Sequence, residues 1–207
     1  QGMKFKIASL FSGCGGLDLG FSGGFSFYNK RFKKLNTKIV FANDFDKDAA
    51  TCYNSNPLLV NDGAKCLLED IRNVDAISIP DFDILLAGFP CQPFSQAGKQ
   101  QGFQDEKERG NLFNKIMEVL EFHKPEFVFL ENVPNLKSHD KGNTYRVIHE
   151  KLSMLYEVKE DIISPHYFGI PQHRTRMYIV GRLKSRGGLQ TFAFPKPVSY
   201  THLRAHE

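Results

Sequence analysis

The tightest constraint on this chain is a series of short, nearly continuous apolar runs separated by helical patterns. Ile7-Ala8-Ser9-Leu10-Phe11, Ile39-Val40-Phe41-Ala42, Asp83-Ile84-Leu85-Leu86-Ala87 and Phe127-Val128-Phe129-Leu130 lack the polar alternation of a half-exposed strand. Runs of this kind suit strands covered on both faces, as in a parallel sheet. A weaker strand is expected near 65–68, and two more over 157–163 and 177–182. Between them, Asp46 can cap a helix that runs through Tyr53 and stops before Pro57. Leu112, Phe113, Ile116, Met117 and Leu120 repeat at three- and four-residue steps, and Pro125 ends that helix. Tyr145, Ile148, Leu152 and Leu155 mark another stripe. All three helices read as core faces. Alternating strands and helices predict an open α/β sheet, which binds ligands at the carboxyl ends of its strands.

Composition narrows the classes. With 207 residues there is room for one core and little more. Lys+Arg 27 against Asp+Glu 23 gives a formal charge of +4, which excludes strongly basic packaging proteins. No apolar stretch approaches the ~20 residues of a membrane span, and no signal peptide is visible at the start of the chain. Cys14, Cys52, Cys66 and Cys91 form no C-x-x-C pair and have no histidine at metal spacing. No metal site is expected, and the dispersed thiols point to a reducing, cytoplasmic setting.

The residues that follow each strand carry the chemistry. Phe11-Ser12-Gly13-Cys14-Gly15-Gly16 is a glycine turn leading into a helix at Leu17. It fails the G-x-G-x-x-G fingerprint because Asp18 takes the last glycine slot; a plain turn explains it as well as a ligand loop. Asn43-Asp44-Phe45 ends the second strand, and Asp44 can accept two hydrogen bonds from ribose hydroxyls. Its 31-residue distance from Gly13 implies an insertion, supplied by 23–35. Gly88-Phe89-Pro90-Cys91-Gln92-Pro93-Phe94-Ser95 ends the third strong strand and presents Cys91 rigidly between prolines. The stretch to Gly110 is basic and hinged by glycines. Glu131-Asn132-Val133-Pro134 ends the fourth. In Gln172-His173-Arg174-Thr175-Arg176, alternation puts Arg174 and Arg176 on one face.

Taken together, and with Asp70-Ile71 and Arg109-Gly110-Asn111-Leu112-Phe113, these strings resemble the DNA (cytosine-5)-methyltransferases of restriction-modification systems. The resemblance covers roughly residues 4–183. It implies a Rossmann-like S-adenosylmethionine-dependent fold, mostly parallel with one antiparallel strand near the C-terminus. It implies that Phe11, Gly13, Cys14, Gly15, Gly16 and Leu17 cradle the cofactor, with Asp44 on its ribose and Phe45 nearby. Asp70 and Ile71 would meet the adenine, and Pro90 and Leu112 would line the pocket. Cys91 would be the nucleophile, Glu131 the proton donor at ring nitrogen 3, and Arg174 and Arg176 the groups that order the acid or hold the base. Gln92, Ser95, Lys99 and Arg109 would contact DNA, whose target cytosine must leave the stack.

Family members continue past the last strand into a target-recognition region and closing conserved segments. The expectation is therefore a catalytic core over 3–183 and a linker and tail over 184–207, without those regions. The resemblance also implies a bacterial or phage source, a monomer, double-stranded DNA as partner, no membrane, and a cognate restriction endonuclease. Two other readings remain open: the tRNA-methylating branch of the same family, and an inactive cofactor-binding remnant.

Overall fold

The computed structural model describes residues 4–27, 29–61, 63–90 and 111–197. Its main sheet has seven strands: β1 (Phe5–Leu10), β4 (Thr37–Asp44), β5 (Cys66–Leu68), β6 (Ile84–Ala87), β7 (Phe127–Asn132), β8 (Tyr156–Ile163) and β9 (Arg176–Leu183). Their order is β5-β4-β1-β6-β7-β9-β8. Every pairing from β5 to β7 is parallel, whereas β9 runs antiparallel to both β7 and β8. The expected fold, including its one reversed strand, is what the chain adopts.

The apolar runs are continuous because each strand feeds two cores. Ala8 and Leu10 of β1, Leu85 and Ala87 of β6, and Val128 and Leu130 of β7 enter one cluster. Ile7, Leu86 and the ring of Phe129 point to the other. Each fully buried aliphatic side chain contributes about 1.5–3 kcal/mol. The first cluster is closed by α4 (Asn111–His123) and α5 (Asn143–Ser153) through Phe113, Ile116, Met117, Leu120, Ile148 and Leu152. The second is closed by α1 (Gly16–Ser22), α2 (Lys47–Asn54) and α3 (Pro57–Val60).

Local chemistry sets the helix ends. The Asp46 carboxylate accepts from the amides of Asp48 and Ala49, both at 2.9 Å, a cap worth about 1 kcal/mol. Asn56 caps α3, whose first residue is Pro57. Lys124 turns left-handed (φ 46) after α4, and Pro125 follows. The Pro125 carbonyl accepts the buried Tyr156 hydroxyl at 3.0 Å, tying the end of that helix to β8. The insertion expected between Gly13 and Asp44 is a hairpin, β2 (Ser26–Phe27) with β3 (Lys30–Arg31).

Candidate active site

The carboxyl ends of β1, β4, β6 and β7 meet on one edge of the sheet. There a cavity of about 440 Å³ is lined by Phe11, Gly13, Gly16, Leu17, Glu131 and Arg174, with Ser9, Ser12, Asp18, Gly88 and Tyr178 completing the wall. That volume is ordinary for a small-molecule site. A wider apolar cavity of about 660 Å³ lies elsewhere, between Phe5, Phe21, Phe127, Phe129, Leu189 and Phe192. It brings together none of the expected site residues.

Hydrogen bonds fix the glycine loop to the second strand. Ser12 donates its amide to the Asn43 carbonyl at 2.9 Å. The Gly13 amide donates to Asp44 Oδ2 at 2.8 Å, and the Asp46 amide to Oδ1 at 2.9 Å. Both Asp44 oxygens therefore already hold main chain, and each keeps one lone pair for a further donor. Gly13 and Gly15 adopt φ 56 and φ 84, and Phe11 turns left-handed as well, at φ 54. The Asn43 side chain donates to the carbonyls of Leu67 and Glu69, which brings the Asp70 turn beside Asp44.

The Asp70 carboxylate is engaged by the Arg72 guanidinium and caps the turn at the Arg72 amide. That guanidinium holds its carboxyl below the usual range. The Ile71 side chain is buried in the first core, which leaves its backbone for any ligand. Phe45 is 72% exposed and Cys14 is exposed beside Cys52, whose thiol interacts with it. Pro90 is exposed, and Leu112 packs partly buried against the first core. Cys91, Gln92, Ser95, Lys99 and Arg109 lie outside the described residues.

Glu131 stands at the end of β7, where Tyr178 of β9 is its cross-strand partner. Arg176 Nε meets Glu131 Oε1 at 2.7 Å, with about a quarter of each side chain exposed. The resemblance implies an arginine that orders this acid, and the reversed strand delivers Arg176 to the same edge. Arg174 lines the cavity alongside Glu131. Gly88 gives the Glu131 carboxylate room: a Cβ there would lie 3.1 Å from Oε2, close enough to push it by a few tenths of an ångström.

Asp18 is a wall residue that sequence reasoning passed over. It is fully buried, and it accepts from Ser9 Oγ at 2.8 Å and from the Tyr53 hydroxyl at 3.1 Å. Ser12 Oγ in turn donates to Ser9, so the acid anchors the glycine loop from below. The available signal was an acid in a glycine slot, two turns of chain after a strand serine. Burial pushes its carboxyl up to about 6, against the opposing pull of the two hydroxyls. Between pH 4 and 6 the folded chain therefore holds more protons on this group than the unfolded chain. Its contribution to stability falls as pH rises through that window and stays low above it. Asp18→Asn, uncharged at every pH, should gain on the parent by about 2 kcal/mol between pH 4.5 and 7.5. Denaturant melts at the two pH values measure this. A difference that does not change with pH would remove the buried ionisation.

The strand order, the glycine loop at the end of β1 and the acid at the end of β4 define a Rossmann-like fold of the kind methyltransferases share. The family profile described as C-5 cytosine-specific DNA methylase matches residues 5–205, and the chain belongs to that family. The type II methyltransferase M.Bsp6I of Bacillus sp. (strain RFL6) is 44% identical over 95% of this chain and 58% of its own length. M.NlaX of Neisseria lactamica is 43% identical over 94% of this chain and 56% of its own. The chain thus spans a little over half the length of these relatives. Among solved structures, the Dnmt2 methyltransferase of S. pombe is 25% identical with a TM-score of 0.63, over 87% of this chain and 50% of that one. The Entamoeba histolytica methyltransferase EhMeth shares the fold at a TM-score of 0.65 and 21% identity, over 95% of this chain and 57% of that one. Among the described residues no helix is long and apolar enough to cross a membrane.

Proposed function

We propose that this chain is the cofactor-binding and catalytic part of a DNA methyltransferase that modifies carbon 5 of a flipped cytosine. The observation that carries this reading is the Glu131–Arg176 pair beside the glycine-loop cavity. The residues at and beside the cavity would suit S-adenosylmethionine. Gly13 and Gly16 open onto it, and a Cβ on either would meet no atom within 4 Å. Asp44 keeps a free lone pair on each oxygen for ribose hydroxyls. When bound there, the cofactor supplies an electrophilic methyl group.

The chain's own residues supply the rest. The Cys91 thiolate adds to carbon 6 of the cytosine while Glu131 protonates or hydrogen-bonds ring nitrogen 3, which takes up the charge of addition. Carbon 5 becomes nucleophilic and takes up the methyl group that the bound cofactor would supply, the methyl–sulfonium bond breaking and the sulfur leaving as a neutral thioether. A base removes the carbon 5 proton, the carbon 6–sulfur bond breaks, and the thiolate is regenerated. Arg176 orients the acid, and Arg174, on the cavity wall, holds the base carbonyl. Gln92, Ser95, Lys99 and Arg109 are assigned to DNA contacts, with phosphates the expected partners of the last three.

The proposed core is 3–183, followed by a linker and tail over 184–207. Target choice is assigned to sequence beyond residue 207, as is closure of the fold. The apolar groove between Phe21, Phe129 and Phe192 supports this reading, as a seat for returning chain. The family's description as a DNA methylase favours DNA over tRNA, the bacterial sources of the type II relatives favour a bacterial setting, and a paired endonuclease belongs to the same proposal.

Trapping tests the mechanism. In the full-length protein, DNA carrying 5-fluorocytosine should yield a covalent complex when cofactor is present, since fluorine cannot leave as a proton. The complex should vanish in Cys91→Ala. Equal trapping by that variant overturns the nucleophile assignment, and trapping on tRNA alone overturns the substrate.

A further inference from the structure

The stretch from Leu19 to Asn43 contains no acidic residue and carries Lys30, Arg31, Lys33, Lys34 and Lys38. The chain's whole formal excess of +4 is contained in it, and the remainder is close to neutral. All five cations are exposed, and none has a carboxylate partner among the described residues. Chance scatter would place acids among them, as it does on α5, where Arg146 pairs with Glu150.

This segment is a built element. It leaves α1 through Gly23 and Gly24, at φ 62 and φ 81. The Gly24 amide donates to the Phe32 carbonyl at 3.1 Å, and the Phe32 amide to the Phe25 carbonyl at 2.8 Å. The Phe25 and Phe32 rings stack at 4.8 Å. The base is closed by the Leu35 amide on the Ser22 carbonyl at 2.9 Å and by Thr37 Oγ1 on the Phe21 carbonyl at 2.7 Å. Four of the cations thus project from a fixed two-stranded ribbon and its return to β4, on which Lys38 stands.

Its place matters. The ribbon joins the end of α1 to the beginning of β4, whereas Asp44 and the cavity lie at the other end of that strand. Eight residues of strand span roughly 25 Å, so the ribbon lies on the edge remote from the chemistry.

We propose that this ribbon is a second, sequence-independent contact for the phosphates of duplex DNA. The proposal rests on the DNA reading above and adds a surface to it. A row of unpaired cations on a fixed ribbon binds phosphate by releasing condensed counterions, at a slope of about 0.9 per phosphate in log affinity against log salt. It carries no base readout. Its effect would be to hold the protein on long DNA while the remote edge searches for a target.

The test uses the full-length protein and a fluorescent 30-base-pair duplex, with anisotropy titrations from 50 to 300 mM KCl. Replacing Lys30, Arg31, Lys33 and Lys34 by Gln should weaken binding at least tenfold at 100 mM KCl and flatten the salt slope by about three and a half. Lys33→Gln with Lys34→Gln, the smaller change if the fourfold variant fails to fold, should flatten it by about two. A charge-matched control, Lys137, Lys141, Arg146 and Lys151 to Gln, should flatten it by less than one. Equal loss in the control overturns the proposal in favour of net charge, and an unchanged slope in the ribbon variant overturns it directly. Loss of binding to phosphatidylserine vesicles with duplex binding intact would assign the ribbon to a membrane and overturn it too. If the parent chain binds no duplex at all, the DNA reading itself fails, which is distinguishable from every outcome above.

Discussion

Glu131→Gln in the full-length protein is expected to lower kcat for methyl transfer by about 10²–10⁴-fold, the usual cost of losing a positioned acid. Glutamine keeps the length and shape of the side chain. It can still accept from Arg176, which approaches Oε1 at 2.7 Å, so the cavity wall should persist. What it lacks is a transferable proton and a negative charge to hold the guanidinium. The loss should therefore fall on turnover, with the KM for S-adenosylmethionine changed less than twofold. Transfer of a tritiated methyl group to cytosine-containing DNA measures both. A variant within threefold of the parent would take the acid role away from Glu131.

The second large effect concerns the fold. Gly15 lies at φ 84, and a Cβ there would fall 2.3 Å from Leu59 Cδ1 and 2.9 Å from the Tyr53 ring. Neither neighbour can yield, because Leu59 is 2% exposed and Tyr53 fully buried. Tyr53 is also tied through its hydroxyl to Asp18. Left-handed strain of about 1 kcal/mol adds to overpacking of about 1–3 kcal/mol. Gly15→Ala should therefore destabilise the chain by about 2–4 kcal/mol, lowering Tm by roughly 5–15 °C. Gly16→Ala is the comparison. Its Cβ would meet no atom within 4 Å and its φ is ordinary, so it should melt close to the parent. Similar melting of the two variants would mean that the loop does not pack as described.

The architecture was legible wherever a residue's type followed from burial on both faces. Ile84–Ala87 and Phe127–Leu130 read as covered strands because Leu85 and Val128 face one core while Leu86 and Phe129 face the other. The Asp46 cap was legible because Asp at a helix start has one local use. Strand partners several elements apart were not: one reversed strand was expected from the family resemblance, but nothing local in Arg176 says that this strand lies against β7. The ion pair with Glu131 follows from that reversal alone. Asp18 was missed for a related reason. An acid in the first turn of a helix reads as a solvated group, and its burial comes from Tyr53, 35 residues away. The ribbon was legible only as an insertion, since two-residue strands are too short to show a period.

The clasp between the glycine loop and β4 has one more consequence. Ser12 and Gly13 are fastened to Asn43 and Asp44 by the protein's own hydrogen bonds, so their conformational entropy is lost when the chain folds. A ligand entering the cavity need not order that backbone again. Its affinity then reflects contacts made rather than disorder removed, and the heat-capacity change on association should be no larger than the ligand's own apolar surface requires. The socket would be stiff before anything enters it, and the rate of entry would be set by access through its mouth.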